Sequence, residues 1–111
     1  MPINIIVDNI VGITVKGVIT DALGEGQPFD FFLTCKRLDA DELKARLTGR
    51  TESSITDFMI EVTSGWSGVK GEEDKTLAFS IDGLRKLLKL PGLAVVSFNA
   101  YMADVGAKEK N

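Results

Sequence analysis

What most restricts the fold of this chain is a change of apolar period at Asp39. Before it, apolar residues recur at every second position; after it, at every third and fourth. A period of two sorts side chains to the two faces of a strand, and a period of 3.6 gathers them on one side of a helix. Residues 12–20 are rich in β-branched residues, with Ile13, Val15 and Ile19 on one face and Thr14, Lys16, Val18 and Thr20 on the other. Residues 29–37 alternate again: Phe29, Phe31, Leu33 and Cys35 share one face, Asp30, Phe32, Thr34 and Lys36 the opposite one. Between these runs, the glycines and proline of residues 23–28 mark a turn. The pattern predicts an antiparallel β-hairpin over about 12–20 and 28–37. Residues 1–10 are apolar but weakly patterned, as in an edge strand or a packed arm.

Downstream, the spacing predicts four helices near 39–48, 54–64, 81–90 and 93–105. Asp39 is the expected N-cap of the first, with Glu42 at the capping-box position and Gly49 as its stop. Ser54 opens the second, whose apolar face is Ile55, Phe58, Met59 and Val62; Gly65, Trp66 and the glycine at 68 end it. Residues 71–75 form a charged turn and 76–79 a short extended piece. Ser80 caps the third helix, which carries Ile81, Leu84, Leu87 and Leu88 and is broken by Pro91. The fourth is apolar on most sides, through Leu93, Val95, Val96, Phe98, Tyr101, Met102 and Val105. The expectation is an α+β fold in one domain over 1–111: an N-terminal antiparallel β-hairpin region (1–38) packed against about four α-helices (39–105), then a polar tail (106–111).

Chemistry is constrained mainly by what is missing. The chain has no histidine and one cysteine, Cys35. That removes the commonest general base, a Cys/His zinc site and any internal disulfide. Cys35, on the inward face of its strand with no imidazole to activate it, reads as a small buried hydrophobe. Asp39 and Asp41 sit where helix starts favour acids, and the run Glu72-Glu73-Asp74 lacks the spaced ligands of a calcium loop. The glycines at 24, 26, 65, 68 and 71 do not form a nucleotide loop. A net charge of −3 with scattered basic residues argues against nucleic acid, and no basic amphipathic face or long apolar run argues for a membrane. Met1-Pro2-Ile3-Asn4 lacks the pattern of a signal peptide, and the lone thiol fits a reducing compartment. No catalytic residue, cofactor or metal ligand is expected.

Two features point instead to protein partners. Trp66, among glycines at a predicted helix end, reads equally as an interface anchor or as a lid on a small core. A fourth helix that is apolar all round needs cover, and self-association through Phe98, Tyr101 and Met102 is a natural way to supply it.

The order of these pieces is familiar. An alternating strand ends in Phe31-Phe32-Leu33-Thr34-Cys35-Lys36-Arg37-Leu38 and leads into an acid-capped helix. A later helix runs into Gly65-Trp66-Ser67-Gly68-Val69; a charged turn, Leu77-Ala78-Phe79-Ser80 and a Leu-rich helix closed by Leu90-Pro91-Gly92 follow. Over roughly residues 29–111 the chain resembles the small tail assembly chaperones of long-tailed bacteriophages, a group with Trp-x-Gly-Val, an acidic turn and Phe-Ser before a helix. Residues 1–28 add nothing diagnostic. The resemblance implies a factor of the host bacterial cytoplasm that binds the tape-measure protein and tail-tube subunits and is absent from the mature virion. Trp66, Gly68, Val69 and Phe79 are the residues matched by position. The resemblance also implies ribosomal slippage near the stop codon, and Glu109-Lys110-Asn111 permits the run A AAA AAC. A structural tail or head–tail connector subunit is the alternative among binding proteins. A ligand-binding module or small enzyme using acids such as Asp39 or Glu73 is the alternative from another class.

Overall fold

In the computed structural model the described residues are 9–48, 52–71 and 75–106, with side chains from 55 onward in the second helix. The hairpin forms as its alternation predicts. Strand β1 (Ile10–Thr20) pairs antiparallel with β2 (Gly26–Lys36) in an unbroken register from Ile10 opposite Lys36 to Thr20 opposite Gly26. The strands reach further than expected: the turn shrinks to residues 21–25, and Pro28 lies inside β2. Proline is tolerated there because, beyond Phe32, β2 has a described neighbour on one side only. Val11, Ile13, Val15, Phe31, Leu33 and Cys35 are buried on one face, while Thr14, Lys16, Asp30, Phe32 and Lys36 face outward.

The helices are α1 (Ala40–Leu47), α2 (Glu52–Val62), α3 (Ile81–Leu88) and α4 (Leu93–Val105). Asp39 caps α1 by accepting from the Glu42 backbone N–H at 2.8 Å, and Ser80 caps α3 by accepting from the Gly83 N–H at 2.9 Å. Each such cap satisfies an otherwise orphan donor and contributes about 1 kcal/mol. Arg46 of α1 pairs with Glu61 of α2 and, at 3.8 Å, with Glu42. The expected helix stop at Gly49, the side chain of Ser54, the acidic run 72–74, residues 1–8 and the tail with Lys110-Asn111 lie outside the described residues.

The largest departure from expectation is at the second helix. The second helix does not run to 64 and end at the glycines. It stops at Val62 and passes without a loop into a third strand, β3 (Thr63–Ser67), antiparallel to β2. The sheet order is therefore β1-β2-β3. The strand is anchored by Phe32 opposite Ser67, Leu33 opposite Trp66 and Thr34 opposite Gly65, and its register shifts before Cys35 meets Thr63. Long-range pairing with a strand already in place outweighs the weak helical tendency of Thr63, Ser64 and Gly65. Beyond β3, Lys70 and Thr76 form an isolated antiparallel bridge. The third helix is also shorter than expected, ending at Leu88 ahead of Pro91.

Helices cover one face of the sheet. The core joins Ile13, Val15, Leu33 and Cys35 to Phe58, Met59 and Val62 of α2, Leu84 and Leu88 of α3, and Leu93, Ala94, Tyr101 and Val105 of α4. Each large side chain fully withdrawn from water there contributes about 1.5–3 kcal/mol. Helix α4 lies between β1 and α2. Its C-terminal half is tied to the end of β2 twice: the Tyr101 hydroxyl donates to the Lys36 carbonyl at 2.8 Å, and Arg37 donates to the Val105 carbonyl at 2.6 Å. The second bond places a cation at a helix C-terminus, where the dipole favours it.

Candidate functional site

The four residues that carry the resemblance meet in one place. Trp66 leaves the outer strand half-buried, and its ring packs edge-on against Phe79 with centroids 5.2 Å apart. Its indole N–H donates to the Leu77 carbonyl at 2.8 Å, and the Leu77 N–H donates to the Val69 carbonyl at 2.9 Å. Gly68, at φ 79°, turns the chain in a conformation that a residue with a Cβ rarely adopts. Val69 thereby enters the core at 9% exposure. The Trp66 ring also lies on α3: a Cβ on Gly83 would meet it at 3.0 Å. β3, the Leu77–Phe79 segment and the start of α3 are thus held by one indole. The lid reading of Trp66 describes what this side chain does within the chain. Leu77, whose carbonyl the indole holds, is 41% exposed, and Ile81 at the start of α3 is 43% exposed.

The fourth helix is better covered by its own chain than its sequence implies. Tyr101 is fully buried, and its phenol, pushed above its ordinary pKa chiefly by that burial, is satisfied by the Lys36 carbonyl. It has no surface to offer a partner in this fold. Phe98 is half-buried against Phe58, edge-on with centroids 5.6 Å apart, and Phe58 makes a second edge contact with Tyr101 at 5.5 Å. Met102 is half-buried. What α4 leaves exposed is the stripe Val95, Asn99 and Ala103, in which Val95 is the one large apolar residue. The residues named for partner binding therefore separate into two groups: Trp66, Val69 and Phe79 at the clamp, and Phe98, Tyr101 and Met102 on α4, where Phe98 and Tyr101 meet Phe58 of α2.

Cys35 is fully buried, with Sγ 3.7 Å from the Thr63 hydroxyl, and burial pushes its thiol up to about 11. A thiol kept neutral is a poor nucleophile. Asp39 is engaged as a helix cap. Among the described residues no group of three His, Cys, Asp or Glu side chains is placed to hold a metal ion, and no helix is long and apolar enough to cross a membrane.

The hairpin turn, expected from its glycines and proline, is held by a side chain just ahead of them. The Asp21 carboxylate accepts from the backbone N–H groups of Leu23 and Glu25 at 2.9 and 3.0 Å and from the Gln27 amide at 2.8 Å. These bonds, the one from Glu25 foremost, hold its carboxyl below the usual carboxylate range. The signal available was an Asp at a turn entrance, where its side chain bonds backbone two residues on. Leu23, inside that turn, is 85% exposed.

No protein-family model, curated protein or solved structure gives a significant match to this chain.

Proposed function

We propose that this protein is a tail assembly chaperone of a long-tailed bacteriophage, working in the host bacterial cytoplasm by binding the tape-measure protein and tail-tube subunits. The observation that carries the reading is the resemblance over residues 29–111, whose position-matched residues Trp66, Gly68, Val69 and Phe79 form a single structural clamp. A set of residues that build one feature together is a stronger basis for kinship of fold than four scattered matches. The physical role follows from surface and charge. A tape-measure protein is long, helical and apolar, and before the tube closes around it that surface needs cover. A 111-residue chain of net charge −3 that leaves Leu77, Ile81 and Leu90 more than 40% exposed offers apolar contact and keeps a complex soluble.

The test is co-expression with the tape-measure and tail-tube proteins of the same phage, pull-down, and mass spectrometry of purified virions. The expected result is a complex in lysate and no copy of this chain in the particle. A protein that captures neither tail component sinks the proposal. One retained stoichiometrically in virions is a structural subunit instead.

A further inference from the structure

Where the hairpin overhangs the corner between α3 and α4, an apolar groove of about 160 Å³ opens. Its walls are Ile19 and Phe29 from the inner face of the sheet, Val69, and Leu87, Leu90 and Leu93 from the corner. Small-molecule pockets run to about 300–1,000 Å³, so this groove suits an inserted side chain better than a free ligand. Four residues beyond Ile19 stands Leu23, the most exposed of the large apolar residues described. A lone exposed leucine in a loose turn would mean little. This turn is tied: Asp21 gathers Leu23, Glu25 and Gln27 on its carboxylate, its own N–H donates to the Glu25 carbonyl at 2.8 Å, and Gly24 donates back to Asp21 at 3.1 Å. A leucine presented on a prefixed turn loses little freedom when it docks.

Charge says what the tip fits. It carries Asp21 and Glu25. In the groove wall Lys70 is offset by Asp30, while Arg85 and Lys86 in the last turn of α3 and Lys89 at its C-cap are the chain neighbours of the lining residues Leu87 and Leu90, which leaves the helix side of the groove basic. An acidic apolar knob and a basic apolar socket are complementary, and this one chain holds both. We propose that the hairpin tip of one copy seats in the groove of a second copy, with Leu23 inserted among Phe29, Leu87 and Leu90 and Glu25 beside Lys89. Ile19, four residues before Leu23, lines the groove, so tip and groove share the turn end of the hairpin and the proposed contact is reciprocal, a two-fold dimer. The inference uses none of the phage resemblance and stands or falls without it.

Sedimentation velocity over a dilution series up to about 100 μM decides it. The wild type dimerises. Leu23→Asp, at a position exposed in the single chain, leaves the circular dichroism and the melting midpoint unchanged at a concentration that holds both proteins as monomers, and weakens the dimer more than about tenfold. Glu25→Lys and Lys89→Glu each weaken it, and the double exchange restores it. Val18→Asp, 66% exposed on the opposite face of the hairpin, changes nothing. A larger assembly abolished by Leu23→Asp also supports the docking, repeated head to tail. A monomeric wild type, or a dimer indifferent to Leu23→Asp, overturns the proposal.

Discussion

Cys35 and Ser97 are both fully buried, and their polar atoms fare differently. Among the described residues Ser97 Oγ has no hydrogen-bond partner, a cost that α4 carries within its packing. Cys35 has the Thr63 hydroxyl 3.7 Å away, a long contact that does little to offset the loss of water. With its thiol raised from 9.0 to about 11, the folded chain keeps Cys35 neutral at pH values where the unfolded chain ionises it. The associated stability is fully present below pH 9 and is lost as pH climbs towards 11; the gap is worth on the order of 2–3 kcal/mol. Tyr101 titrates in the same alkaline direction, so the contribution of the cysteine must be taken as a difference. Urea unfolding between pH 7 and 11 should show wild type losing stability more steeply than Cys35→Ala. Parallel curves would mean that the thiol is solvated in the native state.

At the scale of elements, the Trp66 clamp is where local pattern and tertiary structure part. Removing the indole empties the space between Phe79 and Gly83 and leaves the Leu77 carbonyl without its donor. Since the ring is only half-buried, Trp66→Ala should cost about 2–3 kcal/mol, below the range for a fully buried tryptophan. Trp66→Phe, which keeps a ring but no N–H, should cost about 1 kcal/mol. Urea midpoints followed by circular dichroism check both, and an unchanged midpoint for Trp66→Ala would return Trp66 to the role of a free anchor. The hairpin, the caps at Asp39 and Ser80 and the span of α4 were legible because each is specified by neighbours in sequence: a two-residue period, a capping side chain, a stop at Pro91-Gly92. β3 was not, because its five residues hold no alternation of their own and become a strand by pairing with Phe32–Cys35, some 30 residues away. For the same reason Trp66 was visible as unusual while its contacts to Phe79, Leu77 and Gly83 were not.

At the scale of the whole molecule, the issue is which apolar surface the chain leaves for others. By sequence an all-round apolar α4 points to self-association through that helix; in the fold β1 covers one flank, α2 another, and Tyr101 and Arg37 tie its end to β2. The exposed apolar residues lie elsewhere, at Ile19 and Leu23 towards the hairpin turn, at Leu77 and Ile81 beside the start of α3, and at Leu90 past its end. Two substitutions one turn apart on α4 separate these views. Phe98→Glu forces a carboxylate into the seam beside Phe58 and should destabilise the single chain by about 2–4 kcal/mol. Val95→Glu falls on the exposed stripe and should change stability by no more than about 0.5 kcal/mol. Denaturation at a concentration low enough to hold both as monomers gives those values, and sedimentation at high concentration gives the association. If α4 is internal, Val95→Glu associates like the wild type, and any loss of association in Phe98→Glu tracks its loss of folded protein. A well-folded Val95→Glu that fails to self-associate would put the interface back on the fourth helix and take it from the hairpin tip.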